Sequence, residues 1–382
     1  MTLLKKLRYL WQWGSNRPVW RAPKHARVLV FDAEMAELLE PFLVTADHHV
    51  LHQRDRGLNV PILLRSLRHG LSLDAYVRTY VLAVRPELVI SLLDNDPALY
   101  RVKQYLPSAR VVAIQNGWRG YAYEMFGQGY TAADRLSCDE ILVFGPAVGK
   151  EFERIISGRT VTIGSFKNNL VPIRHDPDSK TIALISTLRG KVDLDSPVQV
   201  AEGNRVVLYS EIFERRLRLA EYCHSFCRRE GYHLRILGKD PEIGREFRMY
   251  AERLGEPGTT WSFTPRTTLL ANYPELDKAR AVISSGSSLG YEALGRGRRV
   301  AFFMIDFEVL HEVGANFGWP LDLPDSGAFW SNRLDELEVE SILTHVVQSS
   351  EEIWRSSSEP IASQLISYDE GNSTLRRIID SI

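Results

Sequence analysis

The chain has 382 residues, 44% hydrophobic and 25% charged, with 47 Lys and Arg against 48 Asp and Glu for a net charge of -1. This composition excludes a mainly disordered chain and argues against a nucleic-acid binder, which would carry a basic excess. At roughly 150 residues per domain, two or three domains are expected. Three cysteines cannot build a disulfide framework, no secretory signal is visible, and no apolar run approaches the roughly 20 residues that span a bilayer, so a cytoplasmic protein is expected.

The near-neutral total hides a basic arm at residues 1–26. Lys5, Lys6, Arg8, Arg17, Arg21 and Lys24 lie in it, Arg27 follows, and no acid interrupts them. Leu3, Leu7, Leu10 and Trp11 fall at helical spacing, with Trp13 and Trp20 beyond. Such a pattern suits the headgroup region of an anionic inner membrane, where each basic residue adds about 1 kcal/mol. The alternative is an arm packed on its own protein. Gly14, Pro18 and Pro23 end any helix early.

After the arm the chain alternates between strand and helix. Buried strands are predicted at Arg27–Phe31, Leu88–Leu93, Arg110–Ile114, Glu140–Phe144 and Thr160–Ile163, with helices at Ala33–Leu43, Leu73–Val84 and Ala147–Ile156. The polar stretch 172–180 reads as a linker. A second series follows: strands at Thr181–Ser186, His233–Leu237, Trp261–Phe263, Ala281–Ser284 and Arg299–Phe303, and a long helix at about Ser210–Glu230. Residues 193–204 read as a loop or lid, and 340–382 as two helices separated by Gly371-Asn372. Short apolar runs alternating with helices predict an α/β chain of two Rossmann-like, doubly wound domains, 27–171 and 181–340, facing a cleft, with C-terminal helices at 341–382.

The segment 281–303 is the richest in chemistry. A strand ends near Ile283, Ser284, Ser285, Ser287 and Ser288 surround Gly286, and a helix starts near Leu289. Hydroxyls and free backbone N–H groups at a helix start form an anion site. Gly286 permits close backbone approach, Gly290 keeps the first turn slim, and Glu292 stands where a carboxylate can accept from ribose hydroxyls. The competing reading is a plain N-cap by Ser287 or Ser288.

Ser284–Gly297 resembles the donor-binding strand–loop–helix of GT-B glycosyltransferases, and is similar to the S-S-T-x-G-x-E-A-L-x-x-G segment of capsule and surface-polysaccharide transferases, including Kdo transferases. Ser91–Asp96, Ile114–Arg119, Gly164–Asn169 and Ile236–Lys239 also resemble segments of bacterial surface carbohydrate biosynthesis proteins. The resemblance implies a GT-B fold, a nucleotide-sugar donor on the second domain and a glycan or lipid-linked glycan acceptor on the first. Such a donor is a substrate, so no cofactor is expected. The capsule-type enzymes carry a His-Pro pair where this chain has Gly238-Lys239-Asp240-Pro241, so that contact would fall to Lys239.

The first series places polar residues at strand ends. Asp32 and Glu34 follow the first strand, Asp94 and Asp96 the second, and Gln115 and Asn116 the third. Glycosyl transfer needs a group that takes the acceptor proton or attacks the anomeric carbon, and these four carboxylates are the candidates. Each pair also precedes a helix and suits capping, and Gln115-Asn116-Gly117 suits a tight turn. Arg189 and Lys239, after strands of the second series, are candidates for donor phosphate or carboxylate. Arg296, Arg298 and Arg299 read as structural, at a helix C-terminus. Cys223, His224 and Cys227, and the group Asp47, His48, His49 and His52, lack metal-site spacing, and no metal is expected.

The resulting expectation is a metal-independent GT-B glycosyltransferase of surface-polysaccharide synthesis, with a CMP-linked ulosonic acid such as Kdo as the first donor. A CDP-glycerol or CDP-ribitol polyol phosphotransferase, a UDP-GlcNAc 2-epimerase-like enzyme and a non-catalytic nucleotide-sugar-binding partner are the alternatives.

Overall fold

A computed structural model describes residues 18–52, 57–70, 72–120, 125–176, 178–188, 190, 192–198, 206–310 and 315–382. Most of the basic arm (1–17) and Arg189 therefore lie outside the described residues. The first sheet is wholly parallel, in the order β2-β1-β3-β4-β5-β6. Its strands are β1 (Val28–Val30), β2 (His48–Val50), β3 (Leu88–Ser91), β4 (Arg110–Ile114), β5 (Leu136–Val143) and β6 (Ile156–Thr162). The second sheet runs β11-β10-β7-β12-β13-β15-β14 and is parallel except for β14, which is antiparallel to β15. Its strands are β7 (Thr181–Ile185), β10 (His233–Leu237), β11 (Trp261–Thr264), β12 (Ala281–Ser284), β13 (Val300–Phe303), β14 (Ser326–Gly327) and β15 (Trp330–Ser331). Between β7 and β10, β8 (Pro197–Val198) and β9 (Val207–Leu208) pair as a two-stranded ribbon at the segment read as a loop or lid.

Both sheets are doubly wound because their central strands, such as Leu88–Ser91 and Val300–Phe303, are buried along their whole length and accept helices on either face. Described helices in the first half are α1 (Val60–Ser66), α2 (Leu73–Val84), α3 (Pro97–Tyr100), α4 (Val102–Tyr105), α5 (Pro146–Ile155) and α6 (Phe166–Asn169). The second half adds α7 (Tyr209–Glu230), α8 (Arg245–Leu254), α9 (Asn272–Asp277), α10 (Ser288–Gly295), α11 (Phe307–Leu310), α12 (Glu336–Gln348), α13 (Glu351–Leu365) and α14 (Ser373–Asp380). In each sheet the side on which successive strands are added switches after the first two or three strands, between β1 and β3 and between β7 and β12. A crevice opens beyond the carboxyl ends of the strands at such a switch point.

Two sequence expectations give way to local chemistry. Ala33–Leu43 is two short 3-10 turns, not one helix. Met35 sits at φ 59 before the first turn, and Pro41 lies within the second, so continuous helical hydrogen bonding is lost. The tail holds three helices instead of two: Ser350 caps α13 by accepting from Ile353 N, which separates it from α12.

The last helix returns to the first half. Leu375, Ile378 and Ile379 of α14 complete the apolar face formed by Val28, Val30, Ile90 and Val112. Asn372 Nδ2 donates to Phe166 O at 3.0 Å, and Ser367 N to Phe144 O at 2.9 Å, so the return is stitched by backbone contacts.

The connection 168–176 is held by one buried ion pair. Arg296, just past α10, has a side chain with no exposed surface, and it donates to both oxygens of Asp277. Its remaining donors reach Asn168 Oδ1 at 3.1 Å, Val171 O at 2.9 Å and Pro172 O at 3.1 Å. Asp277 in turn accepts from Arg174 N at 2.9 Å. Replacing Arg296 by Ala strips one partner from this buried pair and should cost about 3–5 kcal/mol, read as a lower urea midpoint.

Candidate functional site

A cavity of about 270 Å³ opens at the switch point of the second sheet. Its floor is Ile185, Ser186 and Thr187 after β7 and Gly238 and Lys239 after β10. Arg266 and Leu269 follow β11, Asn272 and Tyr273 come from α9, and Gly286–Leu289 with Glu292 from the serine loop and α10. Lys167 of α6 reaches in from the first half, so both halves line the cavity. Lys167, Lys239 and Arg266 stand against the single carboxylate of Glu292, an excess of positive charge in a concave site.

The serine loop is built for close approach. Gly286 has φ 70, in the left-handed region that glycine adopts without strain. A Cβ on Gly290 would lie 2.2 Å from Ser284 Oγ, so only glycine lets α10 pack on the end of β12. Ser287 caps α10 by accepting from Leu289 N at 3.3 Å. Ser285 is 3% exposed and its hydroxyl has no partner among the described residues. A buried hydroxyl without a partner at the start of a helix fits a ligand that completes its hydrogen bonds.

Neighbouring groups fix the cavity walls. Glu246 of α8 is fully buried and accepts from the backbone N–H groups of Lys239 and Asp240 at 3.0 and 2.9 Å. Burial pushes its carboxyl above the usual range, against the pull of these hydrogen bonds. Tyr250 Oη donates to Ser186 Oγ at 2.9 Å, anchoring the end of β7. Glu292, at the inner edge, accepts from Ser165 Oγ at 2.6 Å and from Tyr273 Oη at 2.8 Å, so the carboxylate read as a ribose ligand also ties the two halves together. Burial, reinforced by the Glu292 charge, raises the Tyr273 phenol well above its ordinary value.

A second bridge crosses the cleft. Trp118 stacks on Tyr291 with ring centroids 3.6 Å apart and planes 4° off parallel, and Trp118 N donates to Ser288 Oγ at 2.7 Å. An aromatic pair of this kind contributes about 0.5–1.5 kcal/mol beyond its buried area. The loop carrying Trp118 is itself fixed from below. Gln115 accepts from Phe144 N at 2.7 Å and donates to Gly117 O at 2.9 Å. Asn116 N donates to Asp94 Oδ1 at 3.1 Å, and Asn116 Oδ1 accepts from Arg119.

The four carboxylates fall into two groups. Asp94 is fully buried and held bidentately by Arg119, and Asp96 caps α3 by accepting from Ala98 N at 2.9 Å. Asp32 and Glu34 stand after β1, beside the end of β3, at the switch point of the first sheet. Asp32 is buried and accepts from Glu34 N at 2.7 Å, while Glu34 is exposed. Thus Gly286, Ser287, Ser288, Glu292 and Lys239 meet at one cavity, with Ser285 and Gly290 in its supporting loop. Asp94, Gln115 and Asn116 form the base of the Trp118 loop. Sequence reasoning did not single out Lys167, Arg266, Asn272 or Trp118 as site residues. Lys167 and Trp118 do lie in the segments Gly164–Asn169 and Ile114–Arg119 that carried the resemblance; Arg266 and Asn272 gave no signal.

The fold is similar to Acinetobacter baumannii MurG, with a TM-score of 0.52 at 12% identity over 94% of this chain and 100% of that one. It is also similar to S. aureus MnaA, solved with UDP, at a TM-score of 0.51 and 10% identity over 96% of this chain and 95% of that one. A third likeness is to a "putative UDP-N-acetylglucosamine 2-epimerase" from Listeria monocytogenes, at 0.54 and 12% identity over 95% and 94%. At such identities the likeness is one of fold, the GT-B arrangement of two facing α/β units. A search of curated protein sequences returned no match. A family model described as "putative O-antigen biosynthesis protein" matches residues 112–381. That match takes in the Trp118 loop, the cavity and the returning tail, and the chain belongs to this family of O-antigen biosynthesis proteins.

Proposed function

We propose that this protein is a glycosyltransferase of bacterial surface-polysaccharide synthesis, moving a sugar from a nucleotide-linked donor to a glycan or lipid-linked glycan. The observation that carries the reading is the cavity at the second switch point, which Lys167, Lys239 and Arg266 line together with the start of α10. Donor phosphates bring negative charge to that point, and the backbone N–H groups at the helix start, the Ser288 hydroxyl and the three cations complement it, with Ser285 just behind in the loop. When the bond from the anomeric carbon to the phosphate oxygen breaks, its electrons pass to that oxygen. The same preorganised groups stabilise the charge where it develops. The family and the UDP named with MnaA support a nucleotide-linked donor. The resemblance of Ser284–Gly297 makes a CMP-linked ulosonic acid such as Kdo the first donor to test.

The acceptor hydroxyl needs a carboxylate to take its proton, and a retaining double displacement needs one as nucleophile. Asp94 is held by Arg119 within the first half, so Asp32 and Glu34, at the switch point of the first sheet, are the first candidates, with Asp96 a further one. Lys239 and the start of α10 hold the donor from the second sheet, and Arg189, outside the described residues, is a further candidate by its place in the sequence.

A membrane-bound acceptor fits the face that begins where the basic arm ends. Val19 pairs with Asn59 at the start of α1; Trp20, 71% exposed, follows Val19, and Leu64, 63% exposed, and Leu67 lie on and just after α1. Arg21, Arg65 and Arg68 are exposed in the same two segments. Aromatic and leucine side chains among arginines suit an anionic lipid surface. Among the described residues no helix is long and apolar enough to cross a membrane. We propose a protein on the cytoplasmic side, held at the inner membrane by this face and the arm.

Thermal scans with CMP, CDP, UDP and GDP test the donor site: at least one should raise the melting temperature. Lys239→Ala should weaken that ligand about tenfold, in keeping with the loss of a charged hydrogen bond. No stabilisation by any of the four would sink the reading. Glu34→Gln or Asp32→Asn should lower transfer at least about 100-fold with nucleotide binding intact. Asp94→Asn should instead lose about 3 kcal/mol of stability, because it leaves the Arg119 charge buried and poorly paired. Full transfer by both Glu34→Gln and Asp32→Asn would remove these carboxylates from the chemistry. Combined Trp20→Ala and Leu64→Glu should release the protein from anionic liposomes in a flotation assay, and undiminished flotation would end the membrane assignment.

A further inference from the structure

We infer that Asn272 reads the nucleobase of the donor by accepting from an N–H of its base-pairing edge, an inference that rests on the nucleotide-donor reading above. Asn272 begins α9, is 5% exposed and lines the cavity between Gly238 and Leu269. Its Nδ2 donates to Gly238 O at 3.3 Å. That contact fixes the amide, because exchanging its oxygen and nitrogen would bring two oxygens face to face. The Oδ1 atom is therefore turned away from Gly238, and it is buried with no partner among the described residues.

An acceptor held in one orientation beside a cavity, and denied water by burial, asks the ligand for a donor. The serine loop and the start of α10, which follow β12, suit phosphates, whereas Leu269 and Asn272 follow β11, at the opposite side of the switch point. There one neutral acceptor stands with the apolar side chain of Leu269, which is suited to a flat ring with a polar edge. Uracil offers N3–H and cytosine offers its 4-amino group. A site built around such a hydrogen bond rejects ligands that lack the donor more strongly than apolar contact alone can.

The test pairs a change in the ligand with a change in the protein, using the full chain and equilibrium binding. In the wild type, 3-methyl-UDP and N4,N4-dimethyl-CDP should bind at least about tenfold more weakly than UDP and CDP, because each has lost the donating N–H. In Asn272→Leu that gap should shrink to within about twofold, while inorganic pyrophosphate, which has no base, binds both proteins equally. Methylated and parent nucleotides of equal affinity in the wild type would overturn the inference without using any variant. A gap that persists in Asn272→Leu would overturn it also, and in both cases the donor reading stands. Failure of every nucleotide and of pyrophosphate to bind the wild type would be a failure of the donor reading itself, and would take this inference with it.

Discussion

A guanidinium removed from water must find partners for five N–H donors, and Arg296 finds them on two separate parts of the chain. Asp277 belongs to the second half, whereas Asn168, Val171 and Pro172 belong to the segment leaving the first. None of these groups can be satisfied unless the two halves meet in one arrangement. The constraint is passed along α10, which carries Arg296 at one end and the serine loop at the other. Between them, Glu292 holds Ser165 and Tyr291 holds Trp118. One helix thus fixes the angle between the sheets and the geometry of the cavity that both sheets line. A desolvated ion pair adds little net stability over an apolar substitute, but it is unforgiving of misplacement, which suits a part whose task is alignment.

The same economy governs the first sheet. Asp94 stands where a catalytic carboxylate would be sought, yet its charge is spent on Arg119, and the pair supports the loop that carries Trp118 across the cleft. Carboxylate position at a strand end is therefore a poor guide to chemistry unless the partner is known, and the partner lies 25 residues further along. On the second sheet Glu246 plays a similar part, holding the backbone of Lys239 from beneath. Asp94 and Glu246 are thus buried acids that position loops.

These patterns explain what the sequence reveals. Leu73–Val84 is legible because Ser72 caps it, its apolar positions repeat at helical spacing and Arg85 closes it. Val300–Phe303 is legible because a strand buried on both faces must be apolar throughout, and His233–Leu237 because buried Leu234 and Ile236 alternate with the half-buried His233 and Arg235. The serine loop was readable for the same kind of local reason: hydroxyls, glycine and a helix start follow one another directly. By contrast, Trp118 meets Ser288 across 170 residues, and nothing local to either announces the other. Asn272 looks like any polar residue at a helix start until the cavity and the Gly238 carbonyl are in view. The helix expected at Ala33–Leu43 failed on Pro41 and on the left-handed backbone of Met35; the first is visible in the sequence and the second is not.

The path of the tail has a consequence for how the protein comes into being. The apolar face over Val28, Val30, Ile90 and Val112 is closed by Leu375, Ile378 and Ile379, so the earliest strands of the chain are covered by its last helix. A domain that leads the sequence ordinarily folds while the remainder is still being synthesised. Here that face stays bare until residues 375–379, which follow the whole second half, have been made. The emerging chain consequently carries an uncovered sheet while the second half is synthesised. The two halves, separate as sheets, mature as a single event.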